Sequence, residues 1–239
     1  MENKGFGQGD RAMLFGLGLA SGILGGLALQ RLLSKPRRLR KLEIWQQAMA
    51  ETRGEVEAAF LAARVGARYE ELFAQRPRFA HPALCKHLET GILPGLALYQ
   101  TLLQELGDPE PALAELDRLF EVWVQRSPMQ KQVQLLSYVP DPFAVLRVAN
   151  RLVLKKSFPS EGWTIEWVED SSECVAFNIH DCFYLKVLTA YGAPELTAHF
   201  CQGDDLLYGN VPGISWERSQ TIGRGDPICN FRFCRATVR

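Results

Sequence analysis

Trp163-Thr164-Ile165-Glu166-Trp167, Glu169-Asp170-Ser171-Ser172 and Val175-Ala176-Phe177-Asn178-Ile179 are the residues over which the chain changes its period. Before them, apolar residues recur every three or four positions. Here large apolar residues alternate with polar or small ones, as in a strand with one buried face. The polar residues between the two runs read as a turn. Beyond Ile179, residues Cys182 to Tyr191 and Pro194 to Leu206 read as two helices divided at Gly192, and Ile214 to Ile222 and Ile228 to Arg235 as a second pair of strands. The turn between that pair, Gly223-Arg224-Gly225-Asp226, has the glycines a tight hairpin requires. Hairpin, two helices, hairpin predicts an α+β unit, a C-terminal antiparallel sheet (two hairpins) with two helices packed on one face.

The middle of the chain is helical. Leu42, Trp45, Met49, Val56, Phe60, Ala63 and Ala67 step by three, four or seven and predict one long amphipathic helix, ended by Arg76-Pro77. Further helices start near Pro82, Pro94, Asp108-Pro109, Pro128 and Asp141-Pro142, since proline in a first turn forfeits no hydrogen bond. The last of these bears Phe143, Leu146, Ala149, Leu152 and Val153. His81 and His87 read as ordinary surface or capping residues.

From Ala12 to Leu29 there is no charge. Extended to Leu33, the run reaches the roughly 17–25 apolar residues of a spanning helix. Gly18, Gly22 and Gly26 form a small-residue stripe that permits a homodimer of membrane helices. Arg31, Lys35, Arg37, Arg38, Arg40 and Lys41 follow, which puts the C-terminal bulk on the cytoplasmic side and opposes a cleaved signal peptide. The organisation expected is a disordered tail over 1–11, a transmembrane anchor over 12–33 and a basic juxtamembrane segment with an amphipathic helix over 34–80. A domain over 81–239 follows, helical to 160 and α+β from 161.

Twenty-seven basic and 27 acidic side chains in 239 residues cancel, so no chain-wide field recruits nucleic acid, and the basic cluster is expected to meet anionic membrane lipid. Six cysteines in a chain this long are no disulfide scaffold, and none are spaced C-x-x-C; they read as buried, reduced thiols. Cys182 opens a helix, where the N-terminus lowers a thiol pKa, and is the best nucleophile by position. His180-Asp181-Cys182 and His199-Phe200-Cys201 repeat an H-x-C spacing, but i and i+2 diverge on a helix, so no metal site is assigned.

Phe177, Cys182-Phe183-Tyr184, Tyr191-Gly192-Ala193-Pro194-Glu195-Leu196, Phe200-Cys201, Asp205, Glu217-Arg218, Thr221, Gly225 and Cys229 with Phe231-Arg232 resemble the L-2-amino-thiazoline-4-carboxylic acid hydrolase family. Ile92-Leu93-Pro94, Pro140-Asp141-Pro142-Phe143 and Gly162-Trp163 extend the resemblance upstream, so that it spans residues 81 to 235. The resemblance implies a small-molecule substrate, a cyclic amidine whose thiazoline ring opens to an N-carbamoyl amino acid. It names no cofactor. On that chemistry Cys182 is the nucleophile, Asp205 the base and Cys229 a further catalytic group, while Arg218, Thr221 and Arg232 bind substrate, Arg218 as the carboxylate clamp. The sequence departs from the implied pattern at Phe183, Ser219, Gln220 and Asn230, where Pro, Thr, Lys and Asp are expected. The alternative is a non-catalytic, membrane-tethered small-ligand-binding or assembly protein on the same fold.

Overall fold

The computed structural model describes residues 36–236. The chain divides into residues 1–41 and 42–239, and of the first unit only the beginning of a helix is described. The expected anchor over 12–33, its glycine stripe and the tail lie outside the described residues; among the described residues no helix is long and apolar enough to cross a membrane.

Helix α1 (Pro36–Arg53) and α2 (Glu55–Ala74) replace the single long helix expected. Gly54 separates them at φ 83°, a conformation open to glycine and costly for other residues. The break resets the helical phase. Trp45 and Met49 are buried as expected, but Val56 (87% exposed), Phe60, Ala63 and Ala67 turn outward. Ala58, Leu61, Ala62, Val65, Tyr69 and Leu72 form the inner face instead.

Helix α3 (Pro82–His87) runs through one π-helical turn, Leu88–Ile92, into α4 (Leu93–Leu106). His81 caps α3, its Nδ1 accepting from the Ala83 N–H at 3.1 Å. Gly107, left-handed at φ 72°, stops α4. Asp108 caps α5 (Pro109–Gln125), Ser127 caps α6 (Pro128–Gln134) and Asp141 caps α7 (Pro142–Ser157), each side chain accepting a first-turn N–H. A 3₁₀ turn, Leu135–Tyr138, joins α6 to α7. Phe143 and Leu146 of α7 are buried, but Ala149, Leu152 and Val153 are exposed.

Strands β1 (Trp163–Asp170) and β2 (Cys174–Cys182) form the first hairpin. Helices α8 (Phe183–Ala190) and α9 (Leu196–Tyr208) follow, then β3 (Ile214–Glu217) and β4 (Cys229–Arg235). The sheet order is β1-β2-β4-β3, every neighbouring pair antiparallel. The fold is α+β, with two hairpins joined through β2 and β4 into a four-stranded antiparallel sheet. The second hairpin is looser than expected. β3 stops at Glu217, and residues 218–228 reach β4 through a 3₁₀ turn, Ile222–Arg224.

Alternation divides the sheet. Val175, Phe177 and Ile179 of β2 and Cys229, Phe231 and Phe233 of β4 point one way, into a core continuous with Leu96, Phe120 and Phe143 of the helices. The other face carries Ala176, Asn178, Asn230 and Arg232. The register also sets Cys174 opposite Cys234, with Cα atoms 4.1 Å apart, and a disulfide joins them. The all-reduced reading of the cysteines is thereby corrected. The bond links residues 60 apart in sequence, and the register that brings them together is a tertiary fact.

Candidate active site

The end of β2, the start of α8, the middle of α9 and the loop between β3 and β4 converge on three free thiols. Cys182 is the N-cap of α8, as its position after a strand predicts. Cys201 lies on α9 and Cys229 begins β4. The three lie close enough for charges on Cys182 and Cys229 to act on Cys201, and for Asp204 to act on all of them.

The expected lowering of the Cys182 pKa does not occur. Burial pushes the thiol above its ordinary value, and the backbone N–H groups of Leu185 and Tyr184 only partly offset that rise. Asp181 and Asp204 add negative charge nearby, which further opposes a thiolate. Cys201 is pushed up strongly by burial and then by Asp204. Cys229 rises to about 11, chiefly by burial, though its sulfur accepts the Ile222 N–H at 3.2 Å. Three neutral thiols result at neutral pH, because the loss of water outweighs a helix N-terminus.

Arg218 organises the polar side of the cluster. Its side chain is 1% exposed. Nη1 donates to Asp204 at 2.8 Å, and Nη2 donates to Asp205 at 2.7 Å and to the Cys201 carbonyl at 2.8 Å. Nε is buried with no acceptor. The fork assigned to a substrate carboxylate is therefore occupied by two aspartates, which leaves Nε–H as the open donor. Asp205 also accepts from Trp216 Nε1 at 3.1 Å, so donors hold both of its oxygens. Asp204, next to it in sequence, holds a proton more readily than an ordinary carboxyl. Burial and the Asp205 charge raise it against the pull of Arg218, to about 6, and its 39% side-chain exposure moderates the burial effect. Sequence could not separate adjacent aspartates on one helix; the second donor on Asp205, Trp216 Nε1, does.

Thr221 is buried where the loop turns toward β4, its N–H donating to Asp226 Oδ2 at 2.8 Å. Gly223, two residues on, touches α9 so closely that a Cβ would stand 2.8 Å from the Ala198 nitrogen. That contact keeps the loop against the helix carrying Cys201, Asp204 and Asp205.

Strand alternation places Arg232 on the sheet face opposite Cys229. It sits 3.5 Å from Glu169 and lines a cavity of about 490 Å³ with Asn178, Glu217, Gln220 and Asn230. Arg218 lines this cavity too, although its guanidinium turns toward α9. Three of the positions that depart from the implied pattern meet here. Asn230 Oδ1 accepts the Gln220 N–H at 2.7 Å, and its Nδ2 donates to Ser219 Oγ at 2.8 Å. Amides, Asn230 and Gln220, line the cavity where the resemblance implies a carboxylate and an ammonium.

His87 is the residue that sequence reasoning missed. It is half-buried; desolvation lowers its pKa, and its ring centroid lies 5.1 Å from that of Phe158 and 4.9 Å from that of Trp163. Nε2 lies 2.8 Å from the Ser157 carbonyl, which can only accept, so Nε2 carries the proton. Nδ1 then accepts the Tyr184 hydroxyl at 3.2 Å. Tyr184 is in turn close enough to Cys182, Cys201 and Asp204 for their charges to raise its pKa, after burial. The histidines of the two H-x-C repeats turn elsewhere, His180 to Glu166 and His199 to Asp117. Among the described residues no three His, Cys, Asp or Glu side chains are grouped to hold a metal ion.

The L-2-amino-thiazoline-4-carboxylic acid hydrolase family model matches residues 85–233, more than half of the chain. The chain belongs to this family. The match embraces every residue of the thiol and aspartate cluster. No curated protein matches the chain. Among solved structures it is similar to the Fe(II) unliganded H-NOX protein from K. algicida, at 13% identity and a TM-score of 0.34, over 83% of this chain and 96% of that one. A point mutant of that protein is similar at 12% identity and a TM-score of 0.30, over 82% and 95%. Likeness of this degree carries no argument about fold or ligand.

Proposed function

We propose that the protein is a membrane-anchored hydrolase that opens a cyclic amidine, with L-2-amino-thiazoline-4-carboxylate as the substrate the family name points to. The observation that carries the reading is the convergence of Cys182, Asp204 and Arg218, from three separate family-matched segments, on one half-buried site. Cys182 attacks the carbon between the two nitrogens and the sulfur, after passing its proton toward Asp204. The ring C–S bond breaks with the ring sulfur taking the electron pair and a proton. Water then displaces Cys182 from the amidino adduct, leaving the N-carbamoyl amino acid and a free thiol.

Arg218 keeps Asp204 and Asp205 in place and offers Nε–H to the substrate. A buried donor without a partner costs about 1–3 kcal/mol, which a substrate acceptor recovers. Asp205 holds Arg218 and Trp216 in this scheme, and Asp204 takes the base's role. Cys229 and Thr221 shape the wall against the 3₁₀ turn, and Arg232 acts from the opposite cavity. The membrane part rests on the apolar run 12–33 and the basic residues after it, with the C-terminal domain cytoplasmic and a homodimer through Gly18, Gly22 and Gly26.

One observation favours the non-catalytic, ligand-binding alternative. All three thiols are raised, and the sheet face that carries Cys229 is otherwise aromatic, with Phe231 stacked on Phe177 at 4.9 Å. The test is turnover of the thiazoline by the reduced full chain, followed by mass spectrometry of the N-carbamoyl product, beside Cys182→Ser and Asp204→Asn. Product from the wild type alone supports the scheme. Equal product from Cys182→Ser removes the covalent step. No product from folded wild type, with or without divalent metal, leaves the ligand-binding reading.

A further inference from the structure

Helix α7 is apolar on the side that faces away from the core. Phe143, Leu146, Asn150 and Leu154 form its buried face. Val145, Val148 and Leu152 stand at i, i+3 and i+7, on the opposite side at 100° per residue, and are 45%, 59% and 60% exposed. Val153 widens the stripe, and the 3₁₀ turn packed against α7 adds Leu135 and Tyr138, 61% and 83% exposed. Arg151 lies over the Trp167 ring at 5.9 Å, which joins the half-exposed indole of β1 to the same surface. Isolated exposed apolar residues need no explanation, but a stripe of them with an aromatic flank does.

Basic residues outnumber acidic ones along the segment that carries this stripe. From Pro128 to Ser157 the chain holds Lys131, Arg147, Arg151, Lys155 and Lys156 against a single acid, Asp141. Asp141 is tied to Arg235, and Asp170 of β1 pairs with Arg147 and Arg151. Lys155 and Lys156 flank the stripe in the last turn of α7. A second copy docked about a two-fold axis would set these cations against themselves. An anionic lipid surface complements both features, its head groups taking the cations and its acyl boundary the Val and Leu side chains.

We infer that the outer face of α7, with Val145, Val148, Leu152 and Trp167, seats the domain on an anionic membrane surface. This face is built from residues 135–167 and does not depend on the apolar run 12–33, so it is a second contact that fixes how the domain lies on the bilayer.

The full chain, mixed with vesicles of brominated phosphatidylglycerol and phosphatidylcholine, tests this by tryptophan quenching, with co-sedimentation run in parallel. Sedimentation reports attachment by any route, whereas the quenching lost in Trp167→Phe reports Trp167 at the bilayer: of the five tryptophans it is the exposed one, Trp45 and Trp163 being buried and Trp123 and Trp216 half-buried. The expected result is quenching in anionic vesicles that is lost in Trp167→Phe and in Val148→Asp/Leu152→Asp, while sedimentation through an anchor persists. Lys155→Gln/Lys156→Gln, two exposed changes that leave the core untouched, should lower the seated-to-unseated ratio about 30-fold, at about 1 kcal/mol per lysine. Quenching unchanged by the aspartate pair, or equal in pure phosphatidylcholine, overturns the inference. So does an α7-dependent dimer, seen by light scattering without lipid, that the aspartate pair abolishes.

Discussion

Along β4 the side chains alternate between two environments. Cys229, Phe231 and Phe233 turn into the helices, where Phe233 meets Trp216 at 4.6 Å and Tyr208 at 5.1 Å. Asn230, Arg232 and Cys234 turn to the other face, where Arg232 faces Glu169 and Cys234 is bonded to Cys174. The first set is held by loss of apolar surface from water, the second by polar contacts and one covalent link. The difference teaches where ionisable groups can act. On the inner face burial governs, so thiols and a carboxyl are raised. On the outer face water governs, and charges pair at modest value.

The largest effect that would sharpen this contrast is Phe233→Ala. Phe233 is 1% exposed, and its loss should cost about 3–5 kcal/mol in urea unfolding. Next comes the disulfide. The joint change Cys174→Ser/Cys234→Ser, which opens a 60-residue loop, should cost about 2–4 kcal/mol yet keep the β2–β4 ladder and the far-ultraviolet dichroism. Arg218→Met unpairs two aspartates and should cost about 2–3 kcal/mol, below the range for fully buried pairs because Asp204 and Asp205 are 39% and 42% exposed. Arg232→Ala, on the watered face, should stay within about 0.5 kcal/mol of wild type. A loss as large as that for Phe233 would break the comparison.

Titration supplies a smaller signal. Asp204 is raised from 3.8 to about 6, so the folded state binds its proton more tightly than the unfolded chain does. Stability from this group is fully present below pH about 4 and declines as pH rises toward about 6. A pH series of unfolding midpoints should show that decline in the wild type and less of it in Asp204→Asn. If Asp204 is the base, turnover rises over the same window, and the asparagine variant loses the rise.

Much of the fold was legible because its signals are local. The change of period at Trp163, the prolines opening α3 to α7 and the glycine at 107 depend on neighbours along the chain. The helix phase was misread where one residue, Gly54, resets it, since Val56 and Phe60 continue the apolar spacing of α1 but not its face. At the candidate site, Cys182, Cys229, Arg218 and Asp205, expected from the sequence, lie together. His87 was not, because a half-buried histidine carries no mark in sequence until Ser157 and Tyr184 close on it.

By itself the sequence determined the α+β order, the helix starts, the family and the placing of Cys182 at a helix N-terminus, all properties of adjacent residues or of a matched pattern. Tertiary structure alone decided that Cys174 pairs with Cys234 and that Arg218 is held by two aspartates. It also decided that the Cys182 thiol is raised instead of lowered. Register, burial and the reach of a side chain across elements depend on which segments meet, and no spacing along the chain encodes that meeting.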